Sequence, residues 1–186
     1  MSALLRRAAL LAVALTLPAA ALAQQEAGGT RLGLRLAAYF PADAEVRHAF
    51  GDVIPWPGIA IVPPVRTDRT RLYPSLEIVG ARSGRDHFVI VPLTLALEHH
   101  GRGTNGRYVP YARADAGIGY FDYRLRRSST EVLRARRGGA LGDAELGMIF
   151  TRALRVGARY RLMQEMDGVT FGGIEVGVVI GAVRVF

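Results

Sequence analysis

The sequence predicts an all-β chain folded as an antiparallel up-and-down transmembrane β-barrel of about eight strands. Three features of the chain point there. From Thr30 onward, apolar residues alternate with polar or small ones at the two-residue period of a strand, in segments of roughly ten residues punctuated by Gly, Pro, Asp and Arg. After Ala23, no stretch is apolar over the ~20 residues that a spanning helix needs. Cysteine is absent, so packing and backbone hydrogen bonds alone must hold the chain, a demand that a closed sheet meets.

The first residues have the layout of a secretory signal. Arg6 and Arg7 form a charged start, Ala8 to Leu17 an apolar stretch, and Ala21-Leu22-Ala23 a small-residue cleavage site before Gln24. A retained membrane anchor would need a longer run than this one, which Pro18 interrupts. Residues 1–23 are therefore expected to be removed on export, leaving 24–186 as one barrel domain destined for an outer membrane.

The expected strands follow in order. Arg31 to Phe40 sets Leu32, Leu34, Leu36, Ala38 and Phe40 against Arg31, Gly33, Arg35, Ala37 and Tyr39. A loop over Pro41 to Ile54 leads to a second strand at about Trp56 to Val65, its limits blurred by Pro55, Pro57, Pro63 and Pro64. After Thr67-Asp68-Arg69, a third strand covers Arg71 to Ala81, with Leu72, Leu76 and Ile78 opposite Tyr73, Ser75 and Glu77. Ser83 to Asp86 turns the chain into a fourth, Phe88 to Glu98, with Val89, Val91, Leu93, Leu95 and Leu97 on one face. His99-His100-Gly101 to Gly106 reads as a turn.

The fifth strand, Tyr108 to Tyr123, alternates Ala112, Ala114, Ala116, Ile118 and Tyr120 with Arg113, Asp115, Gly117 and Gly119. Arg124 to Gly139 reads as an exposed basic loop, carrying Arg124, Arg126, Arg127, Arg134, Arg136 and Arg137 with only Glu131 to offset them. A sixth strand, Gly142 to Thr151, sets Ala144, Leu146, Met148 and Phe150 against Asp143, Glu145 and Gly147. A seventh, Arg155 to Gln164, sets Val156, Ala158, Tyr160 and Leu162 against Gly157, Arg159 and Arg161. Asp167-Gly168 then turns into a last strand, Phe171 to Phe186, in which Ile174, Val176, Val178, Ile180 and Ala182 share a face opposite Glu175 and Gly177. Short connections alternate with long ones, as expected of a membrane barrel.

Periodicity alone does not say which face points inward, because a soluble barrel of the lipocalin kind and a membrane barrel are inverses of each other. The composition of the polar face favours the membrane form. It carries Arg35, Glu77, Glu98, Arg113, Asp115, Asp143, Glu145, Arg159, Arg161 and Glu175, both signs mixed with glycine. Such a set suits a narrow lumen filled by paired guanidinium and carboxylate groups. The alanines of the other face sit more naturally against lipid than around a ligand cavity.

The stretch Val109-Pro110-Tyr111-Ala112-Arg113-Ala114-Asp115-Ala116-Gly117-Ile118-Gly119-Tyr120 and the closing Gly177 to Phe186 resemble strands of the small outer-membrane β-barrel proteins, OmpA-like and OmpW-like. That resemblance implies an eight-stranded barrel and a terminal strand, ending at Phe186, that the barrel-assembly machinery reads. Its OmpW-like side implies a narrow channel or a carrier for small hydrophobic molecules as an alternative role.

Nothing in the sequence assembles chemistry. No G-x-S-x-G elbow is present, and the Gly101 to Gly106 run lacks the G-K-[ST] ending of a phosphate loop. His48, His87, His99 and His100 are the only histidines, and the adjacent pair lies in the expected turn, where solvation is the simpler fate. No catalysis, cofactor or metal is expected. The formal charge falls from +8 to +6 with the loss of Arg6 and Arg7, and every basic residue is arginine. Without a helix-turn-helix, zinc or RNA-binding signature, that basicity suits anionic lipid headgroups or external surfaces better than nucleic acid. The expectation is a monomer with a structural or surface-interaction role; a soluble periplasmic lipocalin-like binder is the remaining alternative.

Overall fold

The computed structural model describes residues 31–62, 65, 69–103, 108–128, 130–151 and 153–184. Eight strands form one closed barrel in which each pairs with its sequence neighbours and the last pairs with the first. They are β1 (Arg31–Pro41), β2 (Ile54–Val62), β3 (Arg69–Ser83), β4 (Asp86–His100), β5 (Val109–Arg126), β6 (Val132–Thr151), β7 (Leu154–Met163) and β8 (Gly173–Arg184). All pairings are antiparallel, and β1 closes on β8 from Arg31↔Arg184 to Pro41↔Gly173. Phe186 and the expected signal segment lie outside the described residues, as do Thr67 and Asp68.

Strand alternation translates directly into two faces. Leu32, Leu36 and Phe40 on β1, Leu93, Leu95 and Leu97 on β4, and Tyr160 and Leu162 on β7 are exposed on the outer wall. Arg35, Glu98 and Arg159, one residue out of phase with them, are buried inside. A one-residue slip in any strand would exchange these sets, so the polarity of the pattern pins the register. Among the described residues the weakest seam is β2–β3, with three paired residues on each strand, Gly58 to Ala60 against Glu77 to Val79. Pro55 and Pro57 remove two donors from β2 there.

Several elements differ from the sequence expectation. The span Arg124 to Gly139 is a continuation of β5 and β6, paired from Arg126↔Val132 through Gly119↔Gly139, so only residues 127–131 connect the two strands. Its alternation survives with reversed polarity. Tyr123 and Leu125 now point inward and Arg124, Arg126, Arg134 and Arg136 outward, beyond the end of the apolar belt on the outer wall. Arginine density, which reads as a loop, is here the wet side of a strand. His99 and His100 likewise belong to β4. Strand β2 runs from Ile54 and ends at Val62, and β8 begins at Gly173.

The connection between β1 and β2 holds a short helix, α1 (Ala44–Phe50), whose first amide groups donate to the Asp43 carboxylate. Gly51, at φ +97°, ends it. The Asp167-Gly168 turn has φ of 54° and 77°, the left-handed pair that a two-residue hairpin of this hand requires, and Met166 and Val169 exchange both backbone hydrogen bonds around it.

At the rim that carries α1, the lumen is filled by an apolar plug in place of the polar face expected along its whole length. Tyr39, Trp56, Phe88, Phe121, Tyr123 and Phe171 are all at most 1% exposed, with ring centroids 4.2 Å apart for Tyr39 and Trp56 and 5.1 Å for Trp56 and Phe88. The Tyr39 hydroxyl donates to the backbone carbonyls of Phe171 and Gly172 at 2.6 and 2.9 Å, tying the β7–β8 connection into the mouth. Such rings bury large apolar area at low conformational cost.

Glycine on the inner face lets the wall approach its own contents. A Cβ at Gly117 would lie 2.2 Å from the Leu93 carbonyl oxygen of the neighbouring strand. Gly117→Val is expected to destabilise the barrel by about 1–3 kcal/mol or more, since backbone cannot give way as a flexible side chain does; a lowered unfolding midpoint in urea is the measurement.

Candidate functional site

The inner strand positions below the plug place charge at the centre of the barrel. Among the described residues, six arginines (Arg31, Arg35, Arg113, Arg155, Arg159, Arg161) and six carboxylates (Glu77, Glu98, Asp115, Asp143, Glu145, Glu175) are each at most 9% exposed. Alternation delivers them from every strand except β2, whose inner face is Ile54, Trp56, Gly58, Ala60 and Val62.

Arg159 on β7 is the hub. Its Nε and Nη2 donate to Glu145 at 2.8 and 2.6 Å, its Nη1 and Nη2 to Glu77 at 2.7 and 2.8 Å, and its Nη1 also to Asp143 at 3.3 Å. These use the full donor set of a guanidinium, which has no other way to be satisfied in a dry interior. Two residues on, Arg161 grips Asp143 through Nε and Nη2 at 2.8 and 3.0 Å and reaches Glu77 at 3.1 Å. Across the closing seam, Arg35 of β1 donates to Glu175 of β8 and lies 3.7 Å from Glu145. Arg113 donates to Asp115 on its own strand at 2.7 and 2.9 Å and to the Ser75 hydroxyl at 2.8 Å.

Nearer the rim where β1 starts, Glu98 accepts from Arg155 at 2.9 and 3.1 Å, from the Tyr73 hydroxyl at 2.9 Å, and contacts the His100 ring. The Tyr111 ring lies over Gly147 and Gly157, where side chains would collide with it, and its hydroxyl donates to Glu145 at 2.6 Å.

All ten charged residues that the sequence sets on the polar face thus meet in one lumen. Arg31 and Tyr73, set on the polar faces of their strands by alternation, line it as well, and Arg155, His100 and Tyr111 join them unannounced. Arg155 and Arg31 were legible by phase, since each sits on the inner side of its strand. His100 is not the solvated turn histidine expected but a 1% exposed residue on β4. Among the described residues, no group of three or more His, Cys, Asp or Glu is arranged to hold a metal ion. The six acidic groups face arginine, hydroxyl or imidazole partners, an arrangement that ties strands together.

A second polar cluster locks the plug at its rim. Asp167 accepts from the Tyr123 hydroxyl at 2.6 Å and from Arg137 of β6, and Arg127 donates to Glu45 of α1 at 2.6 Å. Of the arginines expected in a basic loop, Arg127 and Arg137 therefore serve ion pairs within the mouth. Arg124, Arg126, Arg134 and Arg136 point outward.

The chain is similar to three solved structures. The N-terminal β-barrel domain of Pseudomonas aeruginosa OprF matches at 17% identity and TM-score 0.44, over 81% of this chain and 98% of that one. Neisserial surface protein A matches at 12% and 0.45, over 82% and 95%. The outer membrane protein OprG from Pseudomonas aeruginosa matches at 15% and 0.38, over 83% and 90%. No protein-family model matches the sequence, and no curated protein does.

Arg159→Ala is expected to cost about 3–5 kcal/mol, because it leaves the buried Glu77 and Glu145 without their main partner; equilibrium unfolding in detergent measures it. The Tyr123 hydroxyl, and then the Arg137 guanidinium, hold the Asp167 carboxyl below its ordinary range. A lowered folded value means that this contact contributes above the ordinary carboxylate range and is lost as pH falls through the lowered value. Amides of residues 164–172, corrected for intrinsic exchange, should therefore lose protection on acidification below about pH 4. In Asp167→Asn they should start from lower protection at neutral pH.

Proposed function

We propose that the chain is an outer-membrane β-barrel protein with a structural or surface-interaction role and no catalysis. The observation that carries this reading is the inverted distribution of polarity: charge inside, and Leu72, Leu93, Ile118, Leu146, Leu162 and Ile174 each half or more exposed on the outer wall. An apolar outer belt of this kind is covered by lipid or is a strong driver of aggregation. The belt also has the right height. From Tyr108, directly before β5, to Tyr120 within it, a rise of about 3.3 Å per residue and a tilt of about 40° give about 30 Å between the two aromatic residues, close to the thickness of a bilayer's apolar core.

A lipocalin-like binder needs the opposite arrangement, an apolar cavity inside and charge outside. The channel alternative finds little support either, because the plug around Trp56, Phe88 and Phe171 fills one mouth and the arginine–carboxylate network fills the centre. The surface role falls to the rim built by α1, the β5–β6 hairpin and residues 164–172.

Fractionation of expressing cells tests the reading. The protein should appear in the outer-membrane fraction and migrate differently on a denaturing gel before and after boiling. In planar bilayers it should give no stepwise conductance. A soluble periplasmic band with no boiling-dependent shift would sink the membrane assignment; regular conductance steps would restore the channel.

A further inference from the structure

The outer wall changes character abruptly where the β5–β6 hairpin leaves the apolar belt, and the strand register makes the change continuous around the barrel. Arg82 of β3 pairs with His87 of β4, His87 with Arg124 of β5, and Arg124 with Arg134 of β6. All four residues lie on the outward phase of their strands. At about 4.8 Å between neighbouring strands, they form a row of roughly 14 Å. One step toward the belt, Asp122 pairs with Arg136 and accepts from it at 3.1 Å, while His87 lies 3.8 Å from the same carboxylate. Asp122 is the one acid in these two rows. Arg124 and Arg134 have no acidic partner among the described residues, although they stand directly opposite each other. Like charges so placed repel, a cost that an anion between them would remove.

Immediately below lie two shallow apolar grooves. One, of about 500 Å³, runs between β4, β5 and β6 and is lined by Val91, Leu93, Ile118, Tyr120, Gly138 and Ala140. Its floor is open because Gly138 has no side chain and nothing within 3.9 Å of where a Cβ would stand except the Gly119 carbonyl oxygen. The other, of about 610 Å³, lies over β3 and β4, with Gly80 and Val89 in its wall and Arg82 and His87 at its upper edge. Apolar trough, the Asp122–Arg136 pair and then the Arg124 and Arg134 guanidinium groups therefore sit in vertical succession on the face that the proposed function gives to lipid.

We propose that this wall is a binding site for a phosphate-bearing lipid, its acyl chain in the Gly138 groove and its phosphate between Arg124 and Arg134, with Arg82 and Arg136 at the sides. Guanidinium groups recognise phosphate oxygens in paired hydrogen bonds, and the cross-strand spacing lets two of them share one phosphate. The inference rests on the membrane reading above and adds to it a chemical preference on one side of the barrel.

Native mass spectrometry of the detergent-purified chain, titrated with phosphatidic acid or with diacylglycerol of the same acyl chains, tests it. The chain should retain phosphatidic acid in clear preference to diacylglycerol, and inorganic phosphate in large excess should not displace it. Arg124→Gln/Arg134→Gln should weaken retention about tenfold or more, and Gly138→Leu, which fills the groove and spares the arginines, should weaken it too. Arg69→Gln/Arg102→Gln, removing the same charge from the opposite rim, should leave it unchanged. A boiling-dependent gel shift for each variant shows that its barrel is closed.

Equal retention of the two lipids, or full retention by the hairpin variant, overturns the proposal, and displacement by inorganic phosphate replaces it with a simple anion site. Flotation with phosphatidylcholine vesicles separates the two levels. A chain that floats but shows no phosphate preference loses this site alone, whereas one that does not float loses the membrane reading with it.

Discussion

Everything in this barrel depends on the guanidinium–carboxylate lattice at its centre. Twelve strongly hydrated groups cannot be withdrawn from water singly, since the desolvation of each costs several kcal/mol unless partners replace the solvent. Balanced numbers and mutual hydrogen bonding make their burial tolerable. Because the partners come from different strands, the lattice also fixes which strand stands where. Arg159 gathers β3 and β6 onto β7, and Arg35 with Glu175 spans the seam that closes the cylinder. Pairing by charge is directional in a way that apolar packing is not, so a register error would leave several ions without counterparts at once.

The same chain solves two solvation problems with one alternating pattern. Through the belt, the outward residues are apolar and the inward ones ionic. Beyond it, on the β5–β6 hairpin, the phase is kept but the chemistry is exchanged, with Phe121, Tyr123 and Leu125 inside and Asp122, Arg124 and Arg126 outside. Under the proposed outer-membrane reading, the exchange marks the height at which lipid gives way to water. It also explains how a single narrow cylinder can hold an aromatic plug and an ionic lattice in successive layers.

That exchange is why some of the structure was legible in the sequence and some was not. Strands such as Phe88 to Glu98 and Arg155 to Gln164 have the same phase from end to end in the belt, so their faces and the ten charged lumen residues follow from counting by two. The arginines of 124–139 obey the same count, but their density mimics a solvated loop, and only the inward Leu125, Leu133 and Ala135 betray a strand. The plug was hidden for a different reason. Tyr39, Trp56 and Phe171 belong to segments far apart in the chain, and nothing local says that they converge. His100 was lost to its neighbours, because a glycine-rich run directly after it reads as a turn.

The unevenness of the wall has a mechanical meaning. Among the described residues, β5 and β6 are laced together along eighteen residue pairs, whereas β2 meets β3 along three. A hoop of staves is only as strong as its loosest joint, and here that joint also lacks a share of the ionic lattice, since β2 brings no charged side chain to the lumen. Tension applied across the cylinder would concentrate there, opening it into one sheet that runs from β3 round through β8 and β1 to β2. The molecule thus has a built-in parting line, and the strands bordering it are the natural place for the cylinder to breathe.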